Sequence, residues 1–569
     1  MPAPSAWGFM VPAGPTCYRD SDRRRRRIPG LTPVTALPAH RPYSRFTAAA
    51  ACAALVLAIV VPVAGRVELS VEAVDARAVE AIRREGLARS QVMATAGHLT
   101  DVFGPRLSGS PQLQAAAEWC IERLRQWGLV DARLEEWGTF GPGWVNERFA
   151  VHVLTPYAWP VVGVPKAWTA GTSGAVSAEV VYAPMNAEAD FAAWRGRLQG
   201  KVVLPVPPPA LEPLFDAPAR RFDDADLQAL ARGESVRPRR EITAARVAFA
   251  RKRLDFLTTE RVLAVLEPSR SATGAVLAHA DGAFDTRALD GSRLMPAEGT
   301  PPQIVITAEH YGRLVRLHDL GVPLAIELDV RNRFLANQPG HNVIGELRGS
   351  DKADELVMLG AHLDSWHGGT GATDNAIGAA VALEALRILK ATELPLRRTV
   401  RLALWTGEEQ GLLGSRAYVA AHVAERETMR LKPEHGRISV YFNVDHGAGA
   451  IRGVYLQENQ AAAPVFTAWM SPFTAMGMTT LAPRGEYASD HVSFDEVGVP
   501  AFQFIQDPLE YHSRTHHTSS DTYERLQPAE AARNAVILAS FVYHAANRDD
   551  LLPRKPLPAS RVRTTAPRP

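Results

Sequence analysis

The chain has 569 residues whose charges nearly cancel, 63 basic against 61 acidic, with the excess basic residues mostly in the termini. That balance implies no nucleic-acid surface. The length exceeds one ordinary hydrophobic core, so two domains are expected, and no internal repeat is evident.

Residues 1–66 stand apart as a leader. Arg23 to Arg27 is a basic run, and Thr47 to Ala64 is an uninterrupted apolar stretch that ends in the small residues Val63-Ala64-Gly65. This order reads as a secretory signal cleaved near Gly65, which implies a periplasmic or secreted protein. The alternative is an uncleaved membrane anchor at residues 47–64, because that core is just long enough to span a bilayer. Cys17 and Cys52 lie in the leader. Only Cys120 remains beyond it, so no intrachain disulfide can form there and a metal must be held without thiolates.

Val71 to Leu87 and Pro111 to Trp127 have helical periodicity, with the loop Phe103-Gly-Pro-Arg-Leu-Ser-Gly-Ser110 between them. From Trp144 to Phe334 the pattern changes to short strands, such as Ala178 to Tyr182, Lys201 to Pro205 and Ala275 to Ala278, separated by turns rich in Pro and Gly. Within this segment Asp223 to Leu254 is charged and helix-prone and reads as an exposed excursion. Three later apolar runs read as buried strands: Leu356 to Gly360, Thr399 to Leu404 and Ile438 to Val444. Ala376 to Lys390 has the apolar spacing of a helix packed on a sheet. Strand and helix alternate, so an α/β fold with a mostly parallel sheet is expected, and such sheets bind ligands beyond the strand carboxyl ends. Beyond Leu551, Pro and Arg dominate, and residues 549–569 read as a disordered tail.

Metal donors stand at those strand ends. His362 and Asp364 follow the first run, Glu408 and Glu409 the second, and Asp445 the third. Asp374 follows a turn with Gly368, Gly369 and Gly371, and His517 lies further on. Imidazole and carboxylate suit zinc, and a pair of ions about 3.5–4 Å apart needs a shared carboxylate. Asp374 is the natural bridge. That leaves His362 and Asp445 for one ion, with Glu409 and His517 for the other. Glu408 is then uncommitted, as a general base beside a metal-bound water must be, and Asp364 could hold the other ring nitrogen of His362. Each piece alone is ordinary, since adjacent helical carboxylates are usually solvated; the joint order carries the reading. The glycines lack the Lys-Ser/Thr ending of a phosphate loop and precede an Asp, which sets phosphate binding aside.

His362-Leu-Asp-Ser-Trp, the twelve-residue step to Asp374, Trp405-Thr-Gly-Glu-Glu-Gln-Gly, Asp445 and His517-Thr-Ser-Ser-Asp521 resemble the co-catalytic di-zinc exopeptidases typified by bacterial leucyl aminopeptidases and carboxypeptidase Q, with the carboxypeptidase Q branch nearer. The resemblance covers roughly residues 70 to 548. It implies a three-layer α/β/α zinc-exopeptidase catalytic domain at 67–143 and 335–548, with a β-rich protease-associated domain inserted at 144–334. It also implies two Zn2+ per chain on His362, Asp374, Glu409, Asp445 and His517, with Glu408 as base. Many aminopeptidases of this group carry a Tyr immediately before the last ligand, where this chain has His516. His516 either donates to the oxyanion or packs, and Tyr511 is not assumed to replace the Tyr. Ser489-Asp490-His491 resembles a loop lining the family's cleft, where His491 would touch substrate; a helix cap by Ser489 or Asp490 is the competing reading.

The expected activity is hydrolysis of short peptides or dipeptides from a free amino end. A carboxypeptidase is the alternative, followed by a non-catalytic binding protein and a single-zinc acyltransferase on the same fold. The expected partner is a peptide, with a membrane only if the leader stays uncleaved, and a homodimer would suit the carboxypeptidase Q resemblance.

Overall fold

The structure, a computed structural model, describes residues 72–236, 244–279, 296 and 298–561. The leader, with Cys17, Cys52 and the apolar stretch 47–64, lies outside the described residues. Among the described residues no helix is long and apolar enough to cross a membrane, and Cys120 is a buried free thiol.

Helices α1 (Ala76–Ala88) and α2 (Pro111–Gln126) both start on capping side chains. Asp75 accepts from the Arg77 and Ala78 amides, and Ser110 from the Leu113 amide. A long strand β1 (Val130–Thr155) leads to β2 (Val176–Tyr182), β3 (Val202–Leu204), α3 (Asp224–Ala231), α4 (Ala244–Thr259), β4 (Ala264–Pro268) and β5 (Gln303–Ile306). The long β6 (Ala325–Leu347) returns to β7 (Lys352–His362), α5 (Ile377–Thr392), β8 (Arg398–Trp405) and β9 (Ile438–Asn443). Then come β10 (Ile451–Tyr455), β11 (Thr480–Ala482), α6 (His491–Asp495), β12 (Ala501–Gln506) and α7 (Pro528–Asn547). The strand order is β11-β10-β12-β9-β7-β8-β6-β2-β3-β4-β5, and the four central strands β12, β9, β7 and β8 are mutually parallel.

Alternation makes the layers. Along β7 and β8, Val357, Leu359, Val400, Leu402 and Leu404 enter a core shared with α1, α2, α5 and α7. Their neighbours Leu356, Met358, Ala403 and Trp405 enter a second core on the opposite face, with Tyr418, Tyr441 and Phe494. Helix α5 is buried from Ile377 through Leu389, because α1 and α7 pack over the side that does not face the sheet.

The segment 144–334 has its own core of Val180, Val202, Leu204, Ile304 and Ile326. Its two ends lie inside one antiparallel ladder: Trp144 of β1 is paired with Phe334 of β6, so continuous strands run from the central sheet into this segment. Ala275 to Ala278, expected as a sheet strand, instead bridges to the loop after α6 and β12, where Leu277 pairs with Thr518. The excursion Asp223 to Leu254 is not wholly exposed either. Leu227 and Leu230 of α3 are buried with Phe222 against Tyr455, Ala482 and Ile505, because those apolar residues lie one turn apart on a single helix face. The tail is also corrected as far as Arg561. Leu552 is buried, Arg554 donates to the His435 and Ile438 carbonyls, and Lys555 pairs with Asp495 at 2.6 Å. Its arginines and lysine meet acceptors that composition alone does not reveal.

Candidate metal centre

In the parallel ladder Trp405 is paired with His362 and Asn443 with Gly360, so the carboxyl ends of β7, β8 and β9 reach one edge of the sheet together. His362 ends β7. The chain then passes the glycine-rich turn to Asp374, ahead of α5. Gly371 has φ +61°, and a Cβ there would lie 2.3 Å from Ser365 Cβ, so the turn requires glycine. His517 takes φ +57°, the left-handed region where a side chain is strained and which recurs at functional sites; its carbonyl accepts from the Ala278 amide at 2.8 Å.

Asp374 lies between two histidines, with Oδ1 3.2 Å from His362 Nε2 and Oδ2 3.2 Å from His517 Nε2. Asp445 Oδ1 is 3.2 Å from His362 Nε2, and Glu409 Oε2 is 2.9 Å from His517 Nε2. The donor atoms of His362, Asp374 and Asp445 all lie within 4.8 Å of one another, as do those of Asp374, His516 and His517. Asp374 is common to both groups. His362 Nδ1 donates to the Asp364 carbonyl oxygen at 2.9 Å, which leaves the Nε2 lone pair facing Asp374 and Asp445.

Asp364 thus holds the other ring nitrogen of His362 chiefly through its carbonyl. Its backbone orients the ring, whereas its carboxylate, 3.7 Å from Nδ1, accepts from Ser108 Oγ at 2.9 Å and from the Glu408 and Glu409 amides at 3.3 Å each. The Asp364 side chain therefore seats the Glu408-Glu409 turn.

The electrostatics are those of crowded carboxylates. Burial, then the charges of Asp445 and Asp490, push Glu408 well above the usual carboxylate range. Burial and the neighbouring Asp374 raise Glu409 to about 7. Asp490 is raised to about 7 by burial and by Asp445 and Asp364. Burial opposes ionisation of Asp374 too, but His362 and His517 hold it well below the normal range. Asp374 Oδ2 and Glu409 Oε1 are buried without a hydrogen-bond partner. Uncompensated carboxylate oxygens facing two imidazole nitrogens fit divalent metal, which would satisfy them all at once.

Sequence reasoning passed over the residues that hold this frame. Arg106 is fully buried and donates to the carbonyls of Leu99, Gly104, Leu363, Thr370 and Gly371, which ties the His362 and Asp374 loops together. Asp521, raised to about 7 by burial and Asp374, accepts from the Thr373 amide at 2.6 Å and the Asp374 amide at 3.1 Å. The only sequence signals were their places inside the loop before α2 and the stretch after His517.

His516 stacks on His517, ring centroids 3.8 Å apart, with Nε2 3.8 Å from Asp374 Oδ2. Tyr511 packs edge-on against His516. His491 is fully buried and its Nε2 donates to the Glu486 carbonyl at 2.7 Å, which leaves it no surface for a substrate. Neither Ser489 nor Asp490 caps α6: Asp490 makes no capping bond, and Ser489 Oγ instead accepts from Asn443.

Three cavities adjoin the cluster. One of about 10 Å³ lies between Trp366, Asp374, Glu409 and His517. Another of about 300 Å³ touches Thr373, Tyr511 and Arg221. A groove of about 1150 Å³ has His517 in its wall and continues along residues of the segment 144–334.

Residues 342–542 match the profile of Peptidase family M28. The chain is 25% identical to carboxypeptidase Q of Mus musculus over 461 residues, 80% of this chain and 86% of that protein. It is 30% identical to the aminopeptidase YwaD of Bacillus subtilis (strain 168) over 230 residues, 39% of this chain and 48% of that one. Among solved structures, a peptidase M28 precursor from Shewanella amazonensis SB2B shares the fold with a TM-score of 0.61 at 24% identity, covering 85% of this chain and 98% of that chain. BSAP, described as a zinc aminopeptidase from Bacillus subtilis, superposes with a TM-score of 0.50 at 20% identity, covering 81% and 95%. Residues 342–542, which hold every candidate donor, are thus similar to peptidase family M28, and the chain is a metallo-exopeptidase.

Proposed function

We propose that this metallo-exopeptidase cleaves short peptides or dipeptides from a free amino end, with two zinc ions held by His362, Asp374, Glu409, Asp445 and His517. The observation that carries it is Asp374 placed 3.2 Å from each of two histidines that have their own carboxylate partners, with Glu408 left over. Zinc is the favoured ion because the donors are imidazole and carboxylate and because a relative of the same fold is described as a zinc aminopeptidase. Bound there, zinc would polarise the scissile carbonyl and bring the pKa of a water towards about 7.

Glu408 then acts as the base. Its buried carboxyl, pushed upward by its neighbours, accepts the proton of the attacking water and delivers it to the leaving amine. Asp364 positions this carboxyl by accepting from the Glu408 and Glu409 amides. The carboxylates around Asp374 suit a protonated amino terminus, and His516 stands where it can donate to the developing oxyanion. Residues 144–334 are taken as a protease-associated-type insertion and residues 1–66 as an export leader. A panel of dipeptides, unblocked and blocked at each end, with and without chelator, tests the reading. Loss on amino blocking is expected, and loss only on carboxyl blocking would move the assignment to a carboxypeptidase.

A further inference from the structure

The groove of about 1150 Å³ that starts at His517 includes Lys166, Arg253, Glu267 and Gln303 among its walls. Lys166 Nζ lies 2.7 Å from Glu267 Oε2, and Arg253 Nη2 lies 3.3 Å from Glu267 Oε1. Two cations therefore share one carboxylate. Lys166 Nζ also donates to Gln303 Oε1 at 3.3 Å, which turns the amide nitrogen of Gln303 away from it. That Nε2 is buried and has no hydrogen-bond partner, on a residue only 3% exposed. Lysine carries three donors and arginine five, with no acceptor on either, so donors here outnumber acceptors. Buried donors of this kind call for an anionic or carbonyl oxygen.

The groove is built onto the catalytic loops. His367, between His362 and Asp374, donates from Nε2 to the carbonyl of Pro165 at 2.7 Å, next to Lys166. Ala278, another groove residue, donates to the His517 carbonyl at 2.8 Å. Val206, Leu254, Leu277 and Val305 give the walls apolar surface.

We infer that this groove receives the carboxylate-bearing end of the peptide, with Lys166, Arg253 and Gln303 recognising the carboxylate and the apolar walls covering the side chains before it. The inference rests on the reading that the scissile bond lies at Glu408, and it names the substrate class as short peptides with a free carboxyl end. Glu267 keeps the two cations in place: burial opposes its charge, but Lys166 and Arg253 hold it down at about 2.

The test compares kcat/KM on a peptide acid, on the same peptide as its carboxyl-terminal amide, and on an aminoacyl anilide that has no carboxylate. The wild type is expected to prefer acid over amide by about tenfold or more, the size of one charge-assisted hydrogen bond. In Gln303→Met and Arg253→Gln the acid-to-amide ratio falls towards one, mainly through KM on the acid. Lys166→Met/Glu267→Leu removes the ion pair as a unit, so a folded protein with the same loss separates recognition from misfolding. Equal cleavage of acid and amide by the wild type, or variants that lose both in proportion, overturns the inference. Failure of the amino-end reading shows differently, as undiminished wild-type cleavage of the same peptide acid with its amino end blocked. The groove is then read by calorimetry of the peptide acid on Glu408→Gln protein: weaker binding when Gln303→Met is added supports the inference, and equal affinity overturns it.

Discussion

The candidate metal cluster and the groove along segment 144–334 both bury charge, but in opposite proportions. Around Asp374, acids crowd acids: Glu409, Asp490 and Asp521 are each raised to about 7, and buried carboxylate oxygens lack partners. In the groove, two cations share one carboxylate held at about 2, and an amide nitrogen of Gln303 has no partner. The same low dielectric raises one set of acids and lowers the other, because the sign of the neighbours decides. A site short of positive charge is completed by a cation, and one short of negative charge by an anion. The difference separates the part of the molecule built for metal from the part suited to a peptide carboxylate.

Metal removal breaks the comparison most completely. A chelator should abolish hydrolysis and lower Tm, since ions that bind only the folded chain stabilise it by mass action; added zinc should restore both. Full activity in excess chelator would remove the metal side of the contrast.

Glu408→Gln comes next. It should lower kcat by about 10²–10⁴-fold, the usual weight of a general base, with zinc content unchanged by elemental analysis. A variant that keeps its activity would show that proton transfer runs elsewhere.

Glu267→Gln sharpens the other side. It strands Lys166 and Arg253 and should destabilise the fold by about 3–5 kcal/mol, as removal of one buried partner does. Because the folded pKa of Glu267 is depressed to about 2, its stabilisation is present above its unfolded value of about 4.3 and is lost as pH falls through the folded value. The stability gap between wild type and variant should therefore be constant above about pH 5 and close between about pH 4 and pH 2. A gap that closes near neutrality would contradict the pairing.

The smallest effect belongs to His516. If it donates to the oxyanion, His516→Ala lowers kcat by about 10²-fold with zinc retained. Loss of half the zinc would instead make His516 a metal ligand, and no change in either would make it a packing residue.

Much of the metal cluster was legible because parallel strands end at one edge, so residues that close successive apolar runs must meet there. His362, Glu409 and Asp445 follow that rule. Asp374 was readable from its glycine turn, and His517 from the resemblance more than from any periodicity. Arg106 and Asp521 were not readable, since a buried arginine or aspartate inside a loop has the same sequence signature as an exposed one. Asp364 was readable as the partner of the other ring nitrogen, but not which of its atoms comes nearer: the carbonyl oxygen lies at 2.9 Å and the carboxylate at 3.7 Å.

By itself the sequence determined the alternation of strand and helix and the residue types available for metal, because hydrophobic period and donor chemistry are local properties. Tertiary structure alone decided that strand-like residues 275–278 brace His517 rather than a sheet, and that Leu552, Arg554 and Lys555 of the tail are tied to the fold. It also decided which of the 63 basic residues share one carboxylate in a groove beside the metal donors. Such facts depend on which distant segments become neighbours, and a linear pattern does not encode the partner of a buried charge.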